Sequence, residues 1–310
     1  MTASVKVEKL QGQVFHWPDE LSAWGQTEAA RLRLPLTSLV GQRLDYTPFQ
    51  GPSPRWAQNI WKDPHKISFS SIAQAAAALR SLGAFWNQVP GNLFRRAALI
   101  QERLPRVPQK PRPFPHTLPT ASMGAWTLLD ESTLWASPVC SSPFPGGRPL
   151  LLENKVDPPS SAYAKLQESL LLLGRHPKPD DDCLDAGSAP GGWSWVLLQL
   201  GANVVSVDRA EMDPRLISHP RLRHRLQDAF SLLPSNFEKL DWLFCDVICY
   251  PAKLWDWIQL WLDSGKVKHY VVTLKMQGEP DWESIDNFAA VPGSRLVHLF
   301  HNKHELTWML

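Results

Sequence analysis

Two lysines and two carboxylates in the second half of the chain stand where they can do acid–base work. Asp246 closes the apolar run "LFCD" and Lys275 closes "VVTLK". Both runs read as parallel strands, and the C-terminal ends of such strands form the edge where doubly wound sheets bind ligands. Glu305 begins the last apolar run, "ELTWML", and an antiparallel strand there brings its start to the same edge. Lys165, in "AYAKLQES", falls on a helix just before the first strand of that sheet. Together the four can hold or move a proton beside a bound ligand. Each also has a plain structural reading. Lys165 and Glu168 can be an i,i+3 surface pair, Asp246 a cap for the following helix, and Lys275 with Glu305 an ion pair.

The ligand is suggested by a glycine turn, "DAGSAPGGWSW", over residues 185–195. Gly187-Ser188-Ala189-Pro190-Gly191-Gly192 follows a strand and leads into a helix that starts near Trp193. Glycines let backbone approach a ligand closely, and a helix N-terminus offers unpaired N–H groups. A dinucleotide site calls for G-x-G-x-x-G with room for a pyrophosphate. Here the spacing is G-x-x-x-G-G, and Pro190 removes an amide donor, which suits a ligand without phosphates. Asp208 ends the second strand, 21 residues after Gly187, where a carboxylate can hold both hydroxyls of a ribose. Asp228, in "LQDAF", can meet an adenine amino group, and Asp185 can order the turn. An adenosine held by carboxylates and bare backbone describes S-adenosylmethionine. The alternatives are a phosphate-bearing dinucleotide and a structural turn with surface acids.

The elements that must position these groups form an α/β pattern. "CLDAG", "ANVVSVD", "LDWLFCD" and "YVVTLK" are short apolar strands, and "GGWSWVLLQLG" and "AKLWDWIQLWLDSG" are helices between them. That alternation predicts a Rossmann-like, doubly wound, mostly parallel sheet covered on both faces. "RLVHLF" and "ELTWML" are separated by only "HNKH", which predicts an antiparallel terminal strand. The front half reads as a smaller α+β domain. It has helices over 71–86 and 93–104, an extended basic stretch over 105–120 and a hairpin in "GAWTLLDESTLWASPV". The expected boundaries are 1–136 for the basic domain, 137–154 for a linker and 155–310 for the α/β domain.

Charge divides the same way. Residues 1–150 carry a balance of +7 and residues 151–310 a balance of −5, which the chain's net +2 conceals. A basic front half fits a protein that presents a polyanion, and equally two domains that attract each other. Arg95, Arg96, Arg103, Arg106, Lys110 and Arg112 fall within 18 residues and can track a phosphate backbone, or form a solvated helical face. The seven tryptophans of the front half can stack on unpaired bases or fill a core. The four cysteines form no CxxC pair, which predicts free thiols in a reducing compartment. His298, His301 and His304 straddle a strand, a tight turn and a strand, so convergence on a metal is not expected. The charged first 20 residues do not resemble a signal peptide, and no apolar run reaches a membrane span. These features predict a cytoplasmic protein, monomeric, without metal or membrane partner.

"PPSSAYAKLQE", "LDAGSAPGGWSW", "VSVD", "LFCD", "TLK" and "HELTWM" stand in the order seen in FtsJ-type ribose 2′-O-methyltransferases. Residues 155–310 resemble that family, and within it the RlmM type, which modifies a cytidine of 23S ribosomal RNA. The resemblance implies S-adenosylmethionine as cofactor, with contacts at Ala189, Pro190, Gly191, Gly192, Asp208, Asp228 and Asp246. It also implies a Lys-Asp-Lys-Glu tetrad at Lys165, Asp246, Lys275 and Glu305. Two departures stand out. The family has Ser-Arg before the first lysine where this chain has Ser160-Ser161-Ala162. The RlmM type also carries a longer front half with a THUMP RNA-binding domain, so a reduced version is expected here.

Methyl transfer needs an in-line oxygen nucleophile, and a ribose hydroxyl is a poor one until its proton is lost or shared. Lys275 is the expected acceptor. Whether it accepts or only orients the oxygen depends on Lys165 and burial set against two carboxylates, a balance the residues alone leave open. The expected activity is methyl transfer to a ribose 2′-hydroxyl of 23S ribosomal RNA. The rivals are a 2′-O-methyltransferase for tRNA or a messenger cap, and a non-catalytic RNA-binding protein that keeps the fold.

Overall fold

A computed structural model describes residues 4–41 and 43–310. The chain forms two compact units, Met1–Pro111 with Leu118–Leu150, and Arg112–Thr117 with Leu151–Leu310.

The first unit is built on two sheets. The four-stranded one runs in the order β3 (Thr37–Val40), β4 (Leu44–Thr47), β2 (Gln13–His16), β5 (Asn59–Trp61), antiparallel throughout. The five-stranded one runs β1 (Lys6–Lys9), β6 (His65–Ser68), β9 (Thr133–Ser137), β8 (Met123–Leu128), β7 (Phe85–Gln88). Its β8–β9 hairpin is the one expected, and β7 pairs with β8 in parallel. Helix α1 (Ser22–Arg31) precedes β3, while α2 (Ile72–Leu82) and α3 (Phe94–Gln101) pack together on the larger sheet. α2 starts cleanly because the Ser71 hydroxyl accepts the Gln74 N–H, and its alanine-rich face goes into the core. Six of the seven front-half tryptophans, Trp17, Trp56, Trp61, Trp86, Trp126 and Trp135, are buried. They are core residues, and only the half-buried Trp24 keeps part of its ring accessible.

Residues 137–150, expected as a connection, belong to this unit. Ser141 Oγ accepts the Ile60 N–H at 2.9 Å, the Ser142 N–H bonds Asn59 Oδ1 at 3.1 Å, and Cys140 bridges to Trp61. The stretch carries its own backbone partners, which a free linker lacks. Conversely, residues 112–117 leave the first unit: the Leu152 N–H bonds the Arg112 carbonyl at 2.8 Å, and Phe114 packs on the second unit's core.

The second unit holds a seven-stranded sheet in the order β12 (Leu222–Leu226), β11 (Asn203–Asp208), β10 (Asp182–Ala186), β13 (Leu240–Cys245), β14 (Val267–Lys275), β16 (Glu305–Met309), β15 (Arg295–Val297). The pairs from β12 to β14 are parallel, and β16 is antiparallel to both neighbours. The last strand of the chain thus inserts one place in from the sheet edge. Helices α4 (Tyr163–Leu173), α5 (Gly192–Gln199), α6 (Pro214–Ile217), α7 (Pro251–Ser264) and α8 (Trp282–Ala290) connect and cover it.

Period-two alternation explains how both faces are filled. On β13, Trp242 and Phe244 point to one face and stack with centroids 5.6 Å apart, and Trp193 of α5 meets Phe244 edge-on. Such ring pairs contribute about 0.5–1.5 kcal/mol each beyond their buried area. On the other face, Trp308 packs on Phe288 of α8 and donates its indole N–H to the Phe288 carbonyl at 2.9 Å.

Candidate active site

The sheet delivers four groups to one edge. Lys275 ends β14 directly opposite Glu305, the first residue of β16, in the antiparallel register. Asp246 follows β13, and its N–H bonds the Ala186 carbonyl at the end of β10. Lys165 comes up from the first turn of α4.

Their charges interlock. Lys165 Nζ lies 3.1 Å from Asp246 Oδ1 and 2.5 Å from Glu305 Oε1. Lys275 Nζ lies 3.1 Å from the same Asp246 oxygen and donates to the Asp246 carbonyl at 2.6 Å. The side chains are between 8% and 18% exposed, with Lys165 the deepest and Lys275 the most accessible. One carboxylate oxygen therefore serves two ammonium groups, an arrangement that strong local attraction must maintain.

The plain structural readings fail at two of these positions. Glu168 does not pair with Lys165. It is buried and accepts the N–H groups of Phe300 (2.8 Å) and His301 (3.1 Å) together with a 2.7 Å contact from the His301 ring. Asp246 caps nothing, since α7 begins at Tyr250 with no side-chain cap. The 300–301 loop is thus tied to α4 one turn beyond Lys165, which holds Lys165 and Glu305 at a fixed spacing.

Beside the tetrad lies a cavity of about 380 Å³, lined by Gly187, Ala189, Asp208, Arg209, Asp228, Ala229, Phe230, Asp246, Val247, Ile248, Cys249, Lys253 and Lys275. Five expected cofactor residues are in that wall: Gly187, Ala189, Asp208, Asp228 and Asp246. The others lie outside it. Asp185, Pro190, Gly191, Gly192 and Trp193 do not line the cavity. Trp193 is buried and gives its indole N–H to the Ala162 carbonyl at 3.0 Å. Gly192 is small because the Ser160–Ala162 segment needs the space; a Cβ there would sit 2.4 Å from Ser160 Oγ. Gly191 faces Met212 and Leu216. Only Gly187 is required at the cavity itself: its φ is +77°, and an added Cβ would meet Val247 at 2.6 Å.

The turn spends its donors internally. Gly187 and Ser188 N–H groups bond the Val207 carbonyl, and the Ala189 N–H bonds Asp208 Oδ2 at 3.0 Å. With Pro190 lacking a donor, residues 187–190 have no backbone N–H left to cradle phosphates. Asp208 is held by a second N–H, that of Ala210, at 2.9 Å. Burial pushes the Asp228 carboxyl up, but the Phe230 N–H and the paired Arg209 guanidinium outweigh it and leave it below its ordinary value. Carboxylates facing a cavity beside an aromatic ring fit an adenosine better than a diphosphate. Arg209, Phe230, Ile248, Cys249 and Lys253 were missed from sequence. Arg209 directly follows Asp208, but nothing in their types signals that Phe230 and Lys253 meet, with the ammonium 4.4 Å from the ring centroid.

Asp185 lies behind the turn, fully buried. It accepts the Ser194 hydroxyl at 2.6 Å, while its Oδ1 has no hydrogen-bond partner among the described residues. Burial, helped by the charges of Asp246 and Asp208, raises its carboxyl to about 7. An acid raised from its unfolded value near 4 binds an extra proton in the folded state between those values, so stability falls as pH rises through that window. The loss is a few kcal/mol, and Asp185→Asn abolishes it. Melting temperatures from pH 5 to 8 should decline for the wild type relative to Asp185→Asn; parallel curves would refute this.

Of the basic run, Arg95, Arg103, Arg106 and Lys110 are exposed on the first unit. Arg96 differs from them: it is half-buried with its guanidinium 5.8 Å from the Phe69 ring centroid. Arg112 is exposed but belongs to the second unit. His298 and His301 do separate work. His298 is buried, lowered to about 4 by desolvation, and contacts the Lys303 carbonyl, whereas His301 meets Glu168. Among the described residues no group of three His, Cys, Asp or Glu is placed to hold a metal, and no helix is long and apolar enough to cross a membrane.

The strand order, the inserted antiparallel strand and the carboxylate-lined cavity at the strand ends define a Rossmann-like α/β unit with a ligand site. Residues 159–277, all within the second unit, match the family model of FtsJ-like methyltransferases. The chain is similar to proteins named Ribosomal RNA large subunit methyltransferase M. The one from Xylella fastidiosa is 33% identical over 183 residues, covering 54% of this chain and 51% of the relative. That from Methylococcus capsulatus is 28% identical over 206 residues, covering 62% and 55%. The chain therefore spans about half the length of the curated relatives it matches. A solved Aeropyrum pernix fibrillarin with natively bound S-adenosyl-L-methionine covers 48% of this chain and 76% of its own, at 21% identity and a TM-score of 0.35.

Proposed function

We propose that the second unit transfers a methyl group from S-adenosylmethionine to a ribose 2′-hydroxyl of RNA, with large-subunit ribosomal RNA as the substrate. The observation that carries this reading is the sharing of Asp246 by Lys165 and Lys275 at the wall of the cavity that Asp208 and Asp228 line. S-adenosylmethionine, when bound, supplies a methyl on a sulfonium. Asp208 would hold the ribose hydroxyls and Asp228 the adenine edge, with Gly187 and Ala189 providing backbone walls.

The tetrad has the parts that oxygen attack needs. As a neutral amine, Lys275 would spend its two N–H groups on the two Asp246 contacts and keep its lone pair for a hydroxyl. With a ribose hydroxyl placed there, that lone pair would take the hydroxyl proton, leaving the oxygen as nucleophile toward the methyl group that bound S-adenosylmethionine would supply. Asp246 holds Lys275 in place, and Lys165 with Glu305 holds Asp246. The exposed Arg95, Arg103, Arg106 and Lys110 of the first unit are proposed to contact RNA phosphates. In this reading the protein works in the cytoplasm as a monomer, with RNA as its macromolecular partner.

The test is methyl transfer from methyl-labelled S-adenosylmethionine to total RNA from cells lacking the gene. Label in alkali-resistant dinucleotides, formed by the wild type but not by Lys275→Ala, is the expected result. Binding of RNA without any transfer would instead favour the non-catalytic alternative.

A further inference from the structure

The loop that follows Asp246 runs Val247-Ile248-Cys249-Tyr250 and ends at Pro251, the first residue of α7. Its side chains alternate: Val247 and Cys249 are half-buried, whereas Ile248 and Tyr250 are exposed. Of the three most exposed large apolar side chains among the described residues, Val156 at 77%, Ile248 at 75% and Tyr250 at 71%, two are in this loop. Scattered apolar residues on a surface need no explanation, but two such exposed side chains in the one short loop that borders a polar cavity do.

Local structure does not require them. Tyr250 occupies the cap position of α7 without a side-chain capping bond, and Pro251 at the first helical position needs no donor partner. A small polar residue would serve the helix better at that position. Ile248 lines the cavity together with Asp246 and Lys275, and Tyr250 follows it two residues later in the same loop. Two residues of chain span at most about 7 Å, which keeps Ile248 within one nucleotide's reach of Asp246.

We infer that Ile248 and Tyr250 form the platform on which the base of the target nucleotide stacks while its 2′-hydroxyl lies at Lys275. The inference rests on the reading of the second unit as an RNA 2′-O-methyltransferase. A ribose presented to a recessed tetrad requires its base to be splayed out of a helix, and an unstacked base loses apolar contact that an aromatic ring restores. The platform offers a ring face and a branched aliphatic side chain, with the phenol hydroxyl as its sole side-chain hydrogen-bonding group. It therefore binds an unpaired base by its face and does not choose strongly among bases.

The experiment is steady-state methyl transfer to undermethylated, deproteinised 23S ribosomal RNA, with the Michaelis constants for RNA and for S-adenosylmethionine measured separately. Tyr250→Ala is expected to raise KM for RNA about 5- to 150-fold. KM for S-adenosylmethionine should stay within twofold of wild type, and Tyr250→Phe should restore the RNA value. The exposure of Tyr250 makes misfolding of the variant avoidable, and the unchanged KM for S-adenosylmethionine verifies the fold. An unchanged KM for RNA in Tyr250→Ala, with wild-type transfer intact, overturns the platform and leaves the methyltransferase reading standing. A wild type that transfers nothing to this RNA overturns both.

Discussion

Replacing Lys275 by alanine is expected to lower methyl transfer to RNA by about 10²–10⁴-fold, the usual contribution of a positioned proton acceptor. Affinity for S-adenosylmethionine should change little, because Asp208, Asp228 and the Gly187 backbone remain. Lys275 is the most accessible member of the tetrad, and both of its contacts are to Asp246, so its removal leaves the Lys165–Glu305 pair in place. Lys275→Arg separates two ways in which the lysine can act. A guanidinium keeps the charge but cannot accept a proton. If the amine takes the hydroxyl proton, the arginine variant should be nearly as slow as the alanine one. Activity within tenfold of wild type would mean that positive charge and orientation alone suffice.

Lys165→Met is expected to cost stability as well as activity. The ammonium is 8% exposed and lies between Asp246 and Glu305. Its loss leaves two carboxylates turned toward the same space, with Lys275 compensating only one. Removing one partner of a buried ionic group costs about 3–5 kcal/mol. Adding Glu305→Leu removes the uncompensated charge and should recover more than half of that loss without recovering methyl transfer. Urea unfolding of the single and double variants measures both effects. A single variant losing less than about 1 kcal/mol would place the network in the class of exposed ion pairs, which contribute that little.

Much of the second unit was legible because its signals are local. Short apolar runs at strand length, with helices between them, dictate a parallel sheet, and the carboxylate or lysine closing each run is then carried to the ligand edge. That logic placed Asp208, Asp246 and Lys275 at the edge, and the antiparallel sense of the last strand placed Glu305 there. The facing of the glycines was not legible. Whether Gly191 and Gly192 are small for a ligand or for a neighbouring segment depends on Ser160, Met212 and Leu216, distant in sequence. The same holds for Trp193, whose indole N–H finds the Ala162 carbonyl.

The first unit was read less completely. Its strands are three to six residues long, and β1 is exposed along its whole length, so alternation gives no signal there. The prolines and serines of 137–150 look like connection, yet their backbone groups are bonded to Asn59 and Ile60, some eighty residues away. In the basic run, Arg96 could not be told from its neighbours until the Phe69 ring beneath it was known.

The most direct measurement of the central claim is a map of ribose methylation across ribosomal RNA from cells with and without the gene. One 2′-O-methyl site in 23S RNA should disappear on deletion. Wild-type protein should restore it, and Lys275→Ala should not. A ribosomal methylation map that is identical in the two strains would contradict the account.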